Sequence, residues 1–193
     1  MKTLGVGIVL MVALFFCLPY HLYMKQLWKK NPEKSWEKAR RFVSGFFRFE
    51  LKLSGCKVNV IGKENIPQDG PVLFVGNHRS YFDILIYHEA IGKPLGFLAK
   101  KEMEKIPLLP LYMRDIGCLF LDREDIKQGL SVIKQGTEYM KQGHSMVVFP
   151  EGTRNQTDTL LPFREGGYKM AEKSKSPIVP VSICRSDLML ESA

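Results

Sequence analysis

At 193 residues, with 45% hydrophobic and 25% charged side chains, the chain has room for one folded core of ordinary size and is not a disordered segment. Its net charge of +8 is unevenly spread, with nine Lys/Arg against three Glu between Lys25 and Lys52. Beside an apolar segment, and with no recognisable nucleic-acid motif, that excess reads as a juxtamembrane basic patch facing anionic lipid rather than a nucleic-acid groove.

From Thr3 to Met24 there is no Asp, Glu, Lys or Arg. As a helix rising ~1.5 Å per residue this stretch would reach roughly 30 Å, one hydrocarbon core, with a kink or an end at Pro19. A secretory signal is the competing reading, but no small-x-small cleavage site follows the apolar run, which favours an uncleaved anchor. A helix is predicted over roughly Pro32–Leu53, where Trp36, Ala39, Val43, Phe46 and Phe47 share one face and Lys34, Lys38, Arg41 and Arg48 fall mostly elsewhere. That face suits a membrane interface or packing on the domain that follows. Residues 1–54 are thus read as an anchor and basic amphipathic helix, and 55–193 as the domain they serve.

From Cys56 onward, short apolar runs alternate with amphipathic stretches. Strands are predicted at Lys57–Ile61, Val72–Gly76, Leu95–Ala99, Cys118–Leu121, Ser145–Phe149 and Ile178–Ile183. Between Asp125 and Gly143, Ile126, Leu130, Ile133 and Met140 recur at helical spacing. The alternation implies an α/β fold, a central mixed or mostly parallel sheet flanked by helices, with ligands gathering at the carboxyl ends of strands. Cys17, Cys56, Cys118 and Cys184 have no CxxC spacing and the four histidines are scattered. Neither a metal site nor a disulfide framework is indicated, and reduced thiols in a cytoplasmic compartment are expected.

The chemistry concentrates at strand ends. Asn77-His78-Arg79-Ser80-Tyr81-Phe82-Asp83 follows the apolar run ending at Gly76. His78 and Asp83 would point ~140° apart on a straight helix. They can cooperate, as a base and the carboxylate that orients it, only if the chain turns between them, with Asn77 or Ser80 capping the helix beyond. Phe149-Pro150-Glu151-Gly152-Thr153-Arg154 runs a buried strand into a turn bearing a carboxylate and a guanidinium. Lys100-Lys101 and Asp122-Arg123 follow two other strands. Any one basic strand end is an ordinary solvated turn. Several beside a His/Asp pair point to an anionic, phosphorylated substrate whose hydroxyl is deprotonated.

These blocks carry a family resemblance. From about Cys56 to Ile183 the chain resembles bacterial lysophosphatidic acid acyltransferases of the glycerophospholipid acyltransferase superfamily. His78 to Asp83 matches their H-x4-D block, Gly117-Cys118-Leu119-Phe120-Leu121-Asp122-Arg123 the second, Phe149 to Arg154 the third, and Ile178-Val179-Pro180-Val181-Ser182-Ile183 the fourth. The segment Phe163 to Lys169 resembles the basic-glycine stretch after the third block, with Arg164 at the usual lysine position.

The resemblance implies a glycerolipid acyltransferase-like fold with a two-helix membrane-docking unit. It implies His78 as general base on the sn-2 hydroxyl of lysophosphatidic acid, Asp83 as its partner, and direct attack on an acyl-carrier-protein or coenzyme A thioester without an acyl-enzyme. Arg154 and Lys100/Lys101, with Lys101 favoured, would hold the phosphate. Glu151 and Gly152 would shape the glycerol site, with Thr153 among the substrate-binding residues and Arg123 in the same pocket. No cofactor or metal is expected, and the site would face the cytoplasm at the cell membrane. The alternatives are a different lyso-lipid head group or a catalytically inactive lipid-binding relative. The chain stops about ten residues past the fourth block, and an unpaired sheet edge is expected there.

Overall fold

The computed structural model of the chain describes residues 12, 14–157 and 159–189. Helix α1 (Leu18–Lys30) and helix α2 (Pro32–Leu53) turn back on each other at Asn31, whose side chain accepts from the Lys34 amide at 2.9 Å and caps α2. Pro19 does not end the helix it lies in. It sits in the first turn of α1, where its missing N–H costs nothing, and the break comes before it, at Cys17. The ring of Tyr20 stacks on Phe42 at 4.2 Å and its hydroxyl donates to Lys38 O, so the two helices form one hairpin. Among the described residues no helix is long and apolar enough to cross a membrane. Residues 1–11 and 13 of the predicted anchor lie outside the described residues.

The predicted apolar face of α2 turns toward the domain. Trp36 and Ala39 are buried, Val43 packs on the same core, and Phe47 meets His88 edge-on. What α2 leaves exposed is Phe42, Phe49 and Leu53.

The domain is built on β1 (Leu73–Gly76), β2 (Leu95–Lys100), β3 (Leu119–Leu121), β4 (Ser145–Val148) and β5 (Ile178–Val181), in the order β3-β2-β4-β1-β5. All four pairings are parallel, so every strand delivers its carboxyl end to the same edge. Alternation along each strand feeds two cores. Phe74 and Val147 face α1, α2 and α3 (Phe82–Ile91), while Leu73 and Met146 face α5 (Ile126–Lys141) and α6 (Tyr168–Ser174). Helix α4 (Leu109–Asp115) lies against the first core through Met113.

Two sequence expectations are corrected. Lys57–Ile61 is not a strand: Val60 and Ile61 are exposed, and no described strand pairs with this segment. In α5 the buried stripe is Val132, Ile133, Gly136, Thr137 and Met140, whereas Ile126 and Leu130 face solvent. The helix does start and stop as expected, capped by Asp125 and closed at Gly143 with φ +91°.

Candidate active site

The site begins where β1 ends. A side chain at Gly76 would run into the Tyr87 hydroxyl and stand 2.6 Å from Val181 O, so the strand can pass here only as glycine. Asn77 then forms a two-way clamp with Ile183, donating to its carbonyl and accepting from its amide, each at 2.8 Å. The chain bends, and Asp83 in the first turn of α3 reaches back across the bend. Its Oδ2 accepts from the amides of Arg79 (2.7 Å) and Ser80 (3.0 Å) and from His78 Nδ1 (2.7 Å). Ser80 serves the start of α3, accepting from the Phe82 amide at 3.3 Å, whereas Asn77 is committed to Ile183.

This geometry sets the proton inventory. Asp83 is fully buried, and burial alone would push its carboxyl up. The bonds from His78 and the two amides, with the Ser186 hydroxyl adding to them from nearby, outweigh that and hold it below the usual carboxylate range. An ionised Asp83 fixes the imidazole with its proton on Nδ1 and leaves Nε2 as the acceptor. The ring lies flat on Phe149, 4.2 Å away and 13° from parallel, which restrains its rotation. Neither Ser80 nor Cys118 stands ready as a competing nucleophile. Ser80 is fully buried and bonded to Phe82, and burial pushes the Cys118 thiol up to about 12.

The turn after β4 supplies the second half. Glu151 is directed inward: its Oε2 accepts from Asn155 Nδ2 (2.6 Å) and from the Leu161 amide (3.0 Å). Asn155 in turn donates its own amide to His78 O at 2.7 Å, which couples this turn to the His78 loop. Gly152 has φ +74°, and a Cβ there would stand 3.1 Å from Arg164 Nε and 3.6 Å from Arg123 Cζ. Arg123 and Arg164 therefore converge over one glycine. Burial, then the charge of Arg164, lowers the Arg123 guanidinium from its usual value. Two guanidinium groups drawn together on a backbone with no side chain make a cradle suited to an anion.

A match to the family described as Acyltransferase spans residues 57–184. The chain belongs to this family. It is 37% identical over 166 residues to the probable 1-acyl-sn-glycerol-3-phosphate acyltransferase of Mycoplasma pneumoniae, covering 83% of this chain and 60% of the relative. It is 34% identical over 159 residues to the 1-acyl-sn-glycerol-3-phosphate acyltransferase of Helicobacter pylori, covering 82% and 63%. The chain thus spans about three fifths of the length of these curated relatives. The crystal structure of the 1-acyl-sn-glycerophosphate acyltransferase PlsC from Thermotoga maritima shares the fold, with a TM-score of 0.62 at 23% identity over 93% of this chain and 75% of that one.

Within this acyltransferase domain, the expected residues divide. His78 and Asp83 are joined directly. Arg123 and Gly152 meet, and Arg154 lies 3.9 Å over the ring of Tyr81, the residue that opens α3. Lys101 is exposed and paired with Asp122 at 2.8 Å, and Lys100 with Glu102 at 2.9 Å. Thr153 is exposed, and Glu151 is engaged by Asn155 and the Leu161 amide. Four contributors escaped the sequence argument as site residues: Arg164, Asn155, Asn77 and Phe149. Arg164 had left a signal through its place in the basic-glycine stretch, and Asn77 and Phe149 stood at the heads of their blocks, whereas nothing pointed to Asn155.

Proposed function

We propose that the chain transfers a fatty acyl group from an acyl-carrier-protein or coenzyme A thioester to the sn-2 hydroxyl of lysophosphatidic acid, giving phosphatidic acid. One observation carries this reading: the carboxylate-held imidazole of His78 lies at the same sheet edge as the converging guanidinium groups of Arg123 and Arg164. The acyltransferase names of the Mycoplasma pneumoniae and Helicobacter pylori relatives support it.

The acceptor's phosphate sits between Arg123 and Arg164 over Gly152, with Arg154 and Lys101 at the rim. That fixes the glycerol so that its hydroxyl reaches His78 Nε2. The imidazole takes the proton as the oxygen attacks the thioester carbonyl, and Asp83 stabilises the imidazolium that forms. Collapse of the tetrahedral intermediate breaks the carbon–sulfur bond, and His78 returns the proton to the departing thiolate. Each proton is accounted for by His78 and the two substrates, so no cofactor or metal is invoked.

The same reading takes the α1–α2 hairpin to a membrane surface on the cytoplasmic side, where the acceptor resides. Its support is the exposed Phe15, Phe16, Leu22, Tyr23, Phe49 and Leu53 beside the Lys/Arg-rich stretch.

The test is acyl transfer in liposomes with acyl-carrier-protein and coenzyme A thioesters as separate donors. Lysophosphatidic acid and lysophosphatidylcholine are the acceptors. Phosphatidic acid is expected from the wild type, with a loss of about 1,000-fold or more in His78→Ala. Transfer only to lysophosphatidylcholine, or an active His78→Ala, would overturn the assignment.

A further inference from the structure

The chain past β5 returns to the His78 loop and attaches to it at two points. Asn77 clamps Ile183. Arg79 Nη2 lies 3.2 Å from Asp187 Oδ2 in an ion pair that is largely shielded. Between those two anchors, Ser186 opens the 3-10 turn Ser186–Met189, which packs on α3. Arg185, immediately before it, takes φ +67°, a left-handed conformation that a non-glycine residue adopts at a cost. Ser186, the next residue, is turned inward and 2% exposed.

Ser186 Oγ and Asp83 Oδ1 are both buried, and among the described residues neither has a well-formed hydrogen bond. The Asn77–Ile183 clamp and the Arg79–Asp187 pair hold Ser186 beside the loop whose Arg79 and Ser80 amides bond Asp83, on a turn that packs on α3, and the hydroxyl there favours the ionised carboxyl. All three aligned donors to Asp83, namely His78 and two amides, fall on Oδ2. A buried carboxylate oxygen left without a donor is costly, and a buried hydroxyl left without an acceptor is nearly as unfavourable. A small shift that brings the Ser186 hydroxyl into line with Oδ1 satisfies both.

The geometry points to Ser186 as a positioning residue for Asp83, its hydroxyl donating to Oδ1 while His78 donates to Oδ2. This role rests on the acyl-transfer reading given above. With Oδ1 held, the carboxylate cannot turn about its Cβ–Cγ bond, and Oδ2 stays aligned with Nδ1 as the imidazole gains its proton. The bond tightens as that charge develops, as poorly aligned catalytic hydrogen bonds in unliganded enzymes do. The strained Arg185 and the Arg79–Asp187 pair bring the hydroxyl to the carboxylate.

The experiment compares wild type, Ser186→Ala, Ser186→Cys and Ser186→Thr in the full chain. In Ser186→Ala, kcat is expected to fall about tenfold with KM for the acceptor unchanged, a loss confined to the transition state. Ser186→Cys, which keeps the bulk but is a weak donor, falls between, and Ser186→Thr recovers most of the rate. Proton NMR supplies a second readout that needs no turnover. The downfield resonance of the His78 Nδ1–H on Asp83 is displaced in Ser186→Ala and Ser186→Cys and restored in Ser186→Thr. An unmoved resonance with kcat intact in the alanine and cysteine variants would overturn the role. A wild type with no transferase activity refutes the acyl-transfer reading, whereas the NMR comparison still decides whether Ser186 positions the pair.

Discussion

Two histidines outside the site make stability acid-sensitive. His88 on α3 is 2% exposed, and neither ring nitrogen has a hydrogen-bond partner among the described residues. It lies against Phe47 and Phe97. His144 stacks on Trp36 at 4.1 Å and has one bond, to Ile116 O at 3.1 Å. Burial lowers each imidazole to about 3, with the Arg40 charge assisting at His88 and the bond to Ile116 O only partly opposing it at His144.

The folded value therefore lies below the unfolded 6.5, and between the two the unfolded chain binds more protons. Stability is complete above pH 6.5 and falls as pH decreases toward about 3. Between about pH 7.5 and about pH 5.5 one such histidine removes about 1.4 kcal/mol, and the pair about 2.7 kcal/mol. His88→Met keeps the volume and removes both unpaired nitrogens. It should halve that acid loss and raise stability at neutral pH by about 1 kcal/mol. Denaturant unfolding in a fixed detergent, followed by Trp28 and Trp36 fluorescence across this pH range, measures both. An unchanged acid slope in His88→Met would refute the argument, because it would mean that His88 is not held neutral by burial.

Two further outcomes follow from the site. Arg164→Ala should raise KM for lysophosphatidic acid about tenfold with kcat nearly intact, and Arg123→Ala/Arg164→Ala should raise it further; an unchanged KM in initial-rate kinetics would remove the anion cradle. Gly76→Ala should destabilise the fold by about 2 kcal/mol or more through overpacking against Tyr87 and Val181, lowering Tm by roughly 5 °C. A Tm equal to that of the wild type would show that the β1 exit tolerates a side chain.

What could be read from residues alone was whatever rests on local periodicity and chain chemistry. The strands at Val72–Gly76, Leu95–Ala99 and Ser145–Phe149 were legible because buried parallel strands are continuous apolar runs. The Pro32–Leu53 helix was legible from its periodicity, and the cap at Asn31 came with the structure. The His78–Asp83 pair was legible only conditionally, since five residues of separation bring them together solely across a turn. Lys57–Ile61 shows the limit, because β-branched residues make a strand only where a neighbour offers its edge.

Direction and partnership were decided by tertiary structure. The aromatic face of α2 fits a bilayer or a protein core equally well, and the packing of Trp36, Ala39 and Phe47 on the domain settled which. Glu151 carries no sign in the sequence that Asn155 and the Leu161 amide engage it. Arg123 and Arg164 are 41 positions apart, and Ser186 stands 103 positions from Asp83. The sequence by itself determined the α/β class, the His/Asp pair and the basic strand ends, since each is written in neighbouring residues. Which cations converge, and which hydroxyl faces the carboxylate, depends on how a parallel sheet gathers distant strand ends along one edge, and only the folded chain contains that information.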